Sequence, residues 1–227
     1  MAVGRLTFHQ SGRPGSIPDL SRFSVISWDV DGTLYSLPAM SSVVGRLAIQ
    51  RILNNETRRT ISELAVLRRF RHRMANIRAD GGSLPSKVDR KSLFDRLSIE
   101  QRWYGEAIRR VGLRAGLREV FDQFRKAGFV QIVVSDYDCT YKLNCLEIED
   151  IFEHVYAGEQ LGHIKPSPQL FSFVVNQLCI NPDHLLHIGD RRDRDGAAAT
   201  AAGCEALILG EDFRSFPQFS AHIARRT

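Results

Sequence analysis

The chain has no long hydrophobic run. Nothing approaches the roughly 18 consecutive apolar residues that a membrane-spanning helix needs, so an integral membrane protein is not expected. Cysteine is scarce: Cys139, Cys145, Cys179 and Cys204, none in a C-x-x-C pair, which argues against a structural zinc site. Nothing points to an oxidising compartment, so reduced thiols and a cytoplasmic location are the expectation. Residues 1–20 lack the apolar core of a secretory signal, and no internal repeat appears.

What is present begins with charge. The 227 residues carry a net +5, which leaves an anionic partner open without separating nucleic acid from a phosphorylated small molecule. The charge is unevenly placed. Residues 36–114 hold 17 Lys and Arg against 7 Asp and Glu, a net of +10, leaving 14 against 19, a net of −5, elsewhere. Such asymmetry predicts two modules.

Along the chain, residues 1–22 are rich in Gly, Pro, Ser and Arg and read as a poorly ordered extension. Phe23–Val30 is a short apolar, β-branched run that reads as a buried strand. Residues 36–114 read as helical. Ile61, Leu64, Leu67, Phe70, Met74 and Ile77 recur at helical spacing, with Arg58, Arg59, Arg68, Arg69, Arg71 and Arg73 between them. An arginine run of this kind is most simply a solvated face. Substrate attraction and docking on the acidic body are the other readings. Nucleic acid is not expected, because no nucleic-acid motif accompanies the charge. Gly81-Gly82 and Pro85 break this helix, and further helices are expected over Lys87–Leu97 and Ile99–Val111.

From Gly116 onward strands and helices alternate. Helices are expected over Leu117–Ala127, Leu143–Asp150, Pro168–Leu178 and Gly196–Ala202, and strands over Phe129–Val134, Val155–Ala157, Leu185–Ile188 and Ala206–Leu209. This predicts an α/β fold, a doubly wound parallel sheet with an inserted α-helical domain. The divisions are an extension over 1–22, an α/β core over 23–35 and 115–227, and a helical insert over 36–114.

In such sheets ligands bind at the carboxyl ends of the strands, and three of those ends are polar. The first is Asp29-Val30-Asp31-Gly32-Thr33; residues i and i+2 of an extended chain point the same way, so both carboxylates can address one site. The second is Ser135-Asp136. The third runs from Gly189-Asp190 through Asp193 and Asp195 to Gly196, and Lys165-Pro166 lies between the last two. Several carboxylates without paired thiols or histidines suit a hard cation such as Mg²⁺. A carboxylate can attack phosphorus, a second can serve as acid and base, and a lysine and a hydroxyl can hold phosphoryl oxygens.

The ordered set DVDGT, S, KP and GD-x4-D resembles the haloacid dehalogenase superfamily, as do Gly158–Phe171 (GEQLGHIKPSPQLF) and the Ala and Gly spacing from Asp190 to Gly203. The resemblance covers residues 29–203 and implies a core with a type-1 helical cap. It implies Asp29 as nucleophile, Asp31 as acid and base, Thr33 as support of that loop, Ser135 and Lys165 as phosphate-binding groups, and Mg²⁺ held by Asp29, Asp190 and the Asp31 carbonyl. Asp195 would hold the metal shell in place; Asp193 competes for that role, and the downstream spacing favours Asp195. The acid at Asp31 favours phosphoester chemistry over dehalogenation. Asp136 replaces the Asn of many relatives and is expected to point away from phosphate. The expected function is Mg²⁺-dependent hydrolysis of a small phosphorylated metabolite. A sugar-phosphate mutase and a non-catalytic interaction protein using the basic insert are the alternatives. Cys139 lies close enough to the second motif for oxidation there to be considered.

Overall fold

The computed structural model describes residues 17–85 and 96–225. Five parallel strands form one sheet in the order β3-β2-β1-β4-β5: β1 Val25–Trp28, β2 Val130–Ser135, β3 His154–Ala157, β4 Leu185–Gly189 and β5 Glu205–Ile208. The period-2 alternation of strand side chains divides the core into two layers. Ile26, Trp28, Val133, Leu186 and Ile188 pack on one face with Phe121, Phe124, Phe216 and Phe219, from helices Leu117–Lys126 and Phe216–Ile223. Val25, Ile132, Val134 and Leu185 pack on the other with Leu170, Phe171, Val174 and Ala198. These come from helices Gln169–Gln177 and Ala197–Ala201. Trp28 is fully buried, its ring edge-on to Phe121 at 4.9 Å.

Between β1 and Leu117 the chain leaves the sheet as helices. Helix α1, Leu37–Leu53, starts where Ser36 accepts from the Ala39 N–H and Pro38 supplies a pre-set φ. Helix α2 spans Thr57–Ala79. Residues 96–100 are helical, a π-turn covers Gln101–Gly105, and the helix Glu106–Val111 follows. The chain crosses back at Arg114, whose guanidinium donates twice to the Gly32 carbonyl, at 3.1 and 2.8 Å.

Several expectations shift. Of the residues expected on the inward stripe of α2, Ile61 is 60% exposed, and the buried positions are Thr60, Glu63, Leu67 and Met74. Glu63 explains this. Its carboxylate accepts from Trp103 Nε1 at 2.8 Å and Arg59 at 3.0 Å, and Arg51 and Arg102 stand within 4 Å. These cations hold its carboxyl below the usual range despite burial. Part of the insert's basic excess is therefore an internal counter-charge. The helix expected over Leu143–Asp150 instead runs Thr140–Leu146 and stops at Glu147, where φ is positive. Leu20, assigned to the extension, is buried in the core. Most of the helix expected over Lys87–Leu97, and residues 1–16 of the extension, lie outside the described residues.

Candidate active site

Asp29 follows β1, Ser135 ends β2, and Gly189-Asp190 ends β4, so the parallel sheet delivers three loops to one edge. Two close approaches hold them together. Gly32 has φ +100°, and a Cβ there would lie 2.1 Å from Asp190 Oδ2. A Cβ on Gly189 would lie 2.4 Å from the Asp195 carboxyl carbon. Neither position has room for a side chain.

Lys165 is the hub. It is 2% exposed, and its Nζ donates to Asp29 Oδ1 at 2.5 Å and the Val134 carbonyl at 3.2 Å, and pairs with Asp195 Oδ1 at 2.7 Å. Thr33 donates to Asp29 Oδ2 at 3.0 Å. Asp195 Oδ2 accepts the backbone N–H groups of Asp190 and Arg191 at 3.2 and 3.0 Å. On its other side Asp195 meets His187 Nε2 at 3.4 Å, and His187 Nδ1 lies 2.8 Å from the Ser27 hydroxyl. An ionised Asp195 needs a donor there, which makes Nε2 the protonated nitrogen and Ser27 the donor to Nδ1. Asp193 is exposed and pairs with Arg191; of the two competing acids, Asp195 is the one at the cluster.

Three carboxylates, Asp29, Asp190 and Asp195, bring oxygens within 4.8 Å of one another. Lys165 is the ammonium hydrogen-bonded among them. The imbalance shows in the carboxyls themselves. Burial pushes Asp29 well above the usual range, with Asp195 and Asp190 adding to it against the pull of Lys165. Burial and then Asp195 push Asp190 up to about 6. A hard cation would relieve this repulsion, and an all-oxygen donor set fits one.

Asp31 has partners that no motif announces. Lys142, from the helix Thr140–Leu146, donates to both Asp31 oxygens at 2.7 and 2.6 Å, and the Tyr35 hydroxyl donates to Oδ1. Burial alone would raise the Asp31 carboxyl; Lys142 and Tyr35 outweigh it and hold it below its usual value. Ser135 is buried on the same cavity, its oxygen 3.4 Å from the Tyr137 N–H.

Asp136 departs from expectation. It lines the cavity instead of pointing away. Its Oδ1 accepts the Lys165 N–H at 2.8 Å, and its Oδ2 accepts from Arg78 of α2 at 2.8 Å. Arg78 neutralises the charge that a neutral Asn would not carry, and also donates to the Tyr137 hydroxyl at 2.5 Å. Cys139 is fully buried, and burial pushes its thiol up to about 12, which makes it a poor nucleophile and a poor oxidation target.

A cavity of about 390 Å³ opens above these groups. Its floor is Asp29, Asp31, Ser135, Lys165 and Asp190, and the insert roofs it with Met40, Phe70, Arg71, Arg78, Glu100 and Tyr104. Sequence reasoning missed Tyr35, Arg78, Glu100, Tyr104, Lys142 and His187, because none sits in a spaced motif.

A parallel sheet with clustered carboxylates and a lysine at its carboxyl edge, under a helical roof, is the arrangement of an α/β protein with its candidate site at the strand ends. The chain belongs to the haloacid dehalogenase-like hydrolases, whose family model matches residues 23–203. It is similar to the phosphoglycolate phosphatase of Pseudomonas putida, 26% identical over 204 residues, covering 86% of this chain and 71% of that one. It is also similar to the glyceraldehyde 3-phosphate phosphatase of Pyrococcus furiosus, 24% identical over 205 residues, covering 83% and 81%. Among solved structures, a putative hydrolase of the same superfamily from Bacillus subtilis, described as bound to magnesium, superposes with a TM-score of 0.64 at 14% identity. That match covers 90% of this chain and all of the other. Its fold is a Rossmann-like core with an inserted helical cap, as expected from the sequence. Among the described residues, no helix is long and apolar enough to cross a membrane.

Proposed function

We propose that the chain is a magnesium-dependent phosphatase that hydrolyses a small phosphorylated metabolite by way of a phosphoryl group carried on Asp29. The observation that carries this reading is Asp29 itself: a buried carboxylate at the cavity floor, held on one oxygen by Lys165 and on the other by Thr33. Those two contacts aim it, and a carboxylate so fixed is an oriented nucleophile.

In the first half-reaction Asp29 attacks phosphorus, the ester P–O bond breaks, and the leaving oxygen takes the proton that Asp31 holds from the preceding turnover. In the second, water attacks the phosphoryl-aspartate, its proton passes to Asp31, and inorganic phosphate leaves as Asp29 is regenerated. The Lys142 clamp favours ionised Asp31, the form that removes a proton from water. Ser135 and Lys165 would bind the phosphoryl oxygens. Asp29, Asp190 and the Asp31 carbonyl would hold Mg²⁺, with Asp195 fixing their loop; when bound, the ion neutralises charge on the phosphoryl oxygens. The described part of residues 36–114 would act as the cap that excludes water.

The test is phosphate release from a panel of phosphorylated metabolites with Mg²⁺ and with excess chelator. The reading expects turnover of at least one ester with Mg²⁺ and its loss on chelation. Turnover that survives chelation would remove the metal from the account, and isomerised product without free phosphate would make the chain a mutase.

A further inference from the structure

The cap end of the cavity holds a buried acid that the chemistry above does not use. Glu100 is 5% exposed and lines the cavity, and among the described residues its carboxylate has no hydrogen-bond or ion-pair partner. A carboxylate buried without a partner is costly, so a group that completes it is expected from the ligand. Tyr104 follows four residues later. It is 7% exposed and lines the same cavity, and its oxygen accepts from Arg71 at 2.5 Å, which leaves its own proton to donate. The π-turn Gln101–Gly105 connects the two; such turns are rare and gather at functional sites.

One acceptor beside one donor selects for chemistry. A hydroxyl satisfies both, giving its proton to Glu100 and taking one from Tyr104. A carboxylate accepts only, and would meet the Glu100 and Asp31 charges. Three of the cations nearby are matched by carboxylates: Lys142 with Asp31, Arg78 with Asp136, Arg191 with Asp193. Arg71 donates to the neutral Tyr104 hydroxyl, and Arg194, which follows Asp190 in the chain, lines the same cavity.

We propose that Glu100 and Tyr104 form the leaving-group subsite and read a hydroxyl, so that the substrates are phosphate esters of polyols or sugars and not of carboxylic acids. This rests on the phosphatase reading. Burial raises the Glu100 carboxyl, with Arg96 and Lys142 opposing it.

The matched pair glycerol 3-phosphate and 3-phosphoglycerate tests it, since a carboxylate replaces a hydroxymethyl group. The wild type is expected to favour glycerol 3-phosphate in kcat/KM by about tenfold or more. Glu100→Gln keeps an acceptor but removes the charge, and should narrow that ratio several-fold. Tyr104→Phe should lower kcat/KM for glycerol 3-phosphate about tenfold while changing propyl phosphate far less. A wild-type preference for 3-phosphoglycerate, or variants that change both members of each pair equally, would overturn the subsite. p-Nitrophenyl phosphate carries neither group. If the wild type turns it over with Mg²⁺ while the ratios fail, the subsite alone falls; if it is inert toward this ester and the whole panel, the phosphatase reading falls with it.

Discussion

Replacing Lys165 by methionine isolates the electrostatics of the site, because the two side chains have similar length and the change leaves little cavity. In the native protein one ammonium, 2% exposed, stands 2.5 Å from Asp29 and 2.7 Å from Asp195. Its loss leaves two buried carboxylates facing each other, with Asp190 beside them. Breaking a buried pair by removing one partner costs about 3–5 kcal/mol. For a chain of 227 residues each kcal/mol moves the melting point by about 2–4 °C, so a fall of about 6–20 °C is expected at neutral pH without metal. The acids can escape by taking up protons, so the deficit should shrink toward pH 4. Magnesium should return part of it, by supplying the missing positive charge. Thermal unfolding followed by circular dichroism, at pH 7.5 and pH 4.5, with chelator and with Mg²⁺, measures all three effects. A variant within about 1 kcal/mol of the wild type at pH 7.5 in chelator would refute the argument that one cation balances this cluster.

Gly32→Ala should abolish turnover while retaining a folded core, since its Cβ would displace the Asp190 carboxylate; activity within twofold of the wild type, with an unchanged circular dichroism spectrum, would count against the loop contact. Mg²⁺ affinity measured by calorimetry should weaken as pH falls through about 6, where Asp190 takes up a proton; an affinity unchanged between pH 7.5 and pH 5 would count against Asp190 as a ligand. The sign for folding is opposite. In the metal-free protein the Asp190 value lies above its unfolded value near 3.8, so the folded state holds the extra proton between those limits, and this group's contribution falls as pH rises from about 4 to 6. Arg78→Met removes the tie from α2 to Asp136 and Tyr137; urea unfolding should show a loss of about 1.5–3 kcal/mol, and KM should rise more than kcat falls.

The strand ends were legible because parallel α/β sheets put their chemistry there, and residues 29–33, 135 and 189–195 stand close to strand boundaries in the chain itself, while Lys165 lies in the loop before the helix Gln169–Gln177. The choice of Asp195 over Asp193 rested on the resemblance, whose downstream Ala and Gly spacing aligns with Asp195. The partners of those residues were not legible. Lys142 meets Asp31 across 111 positions and Arg78 meets Asp136 across 58, contacts fixed only when helices pack on the sheet. Asp136 was misjudged for that reason. An unpaired acid beside phosphate is unfavourable, but this one is paired. Glu63 shows the same limit: apolar periodicity takes no account of a charged residue, and four nearby donors make this one inward-facing.

In the proposed mechanism Asp29 carries the phosphoryl group. The most direct measurement is phosphate release by wild-type protein and Asp29→Asn with Mg²⁺ on the best substrate found, alongside mass analysis of acid-quenched protein for a phosphoryl adduct on the Asp29 peptide. Turnover and an adduct are expected for the wild type, and a loss of about a thousandfold or more with no adduct for the variant. Full activity in Asp29→Asn would contradict it.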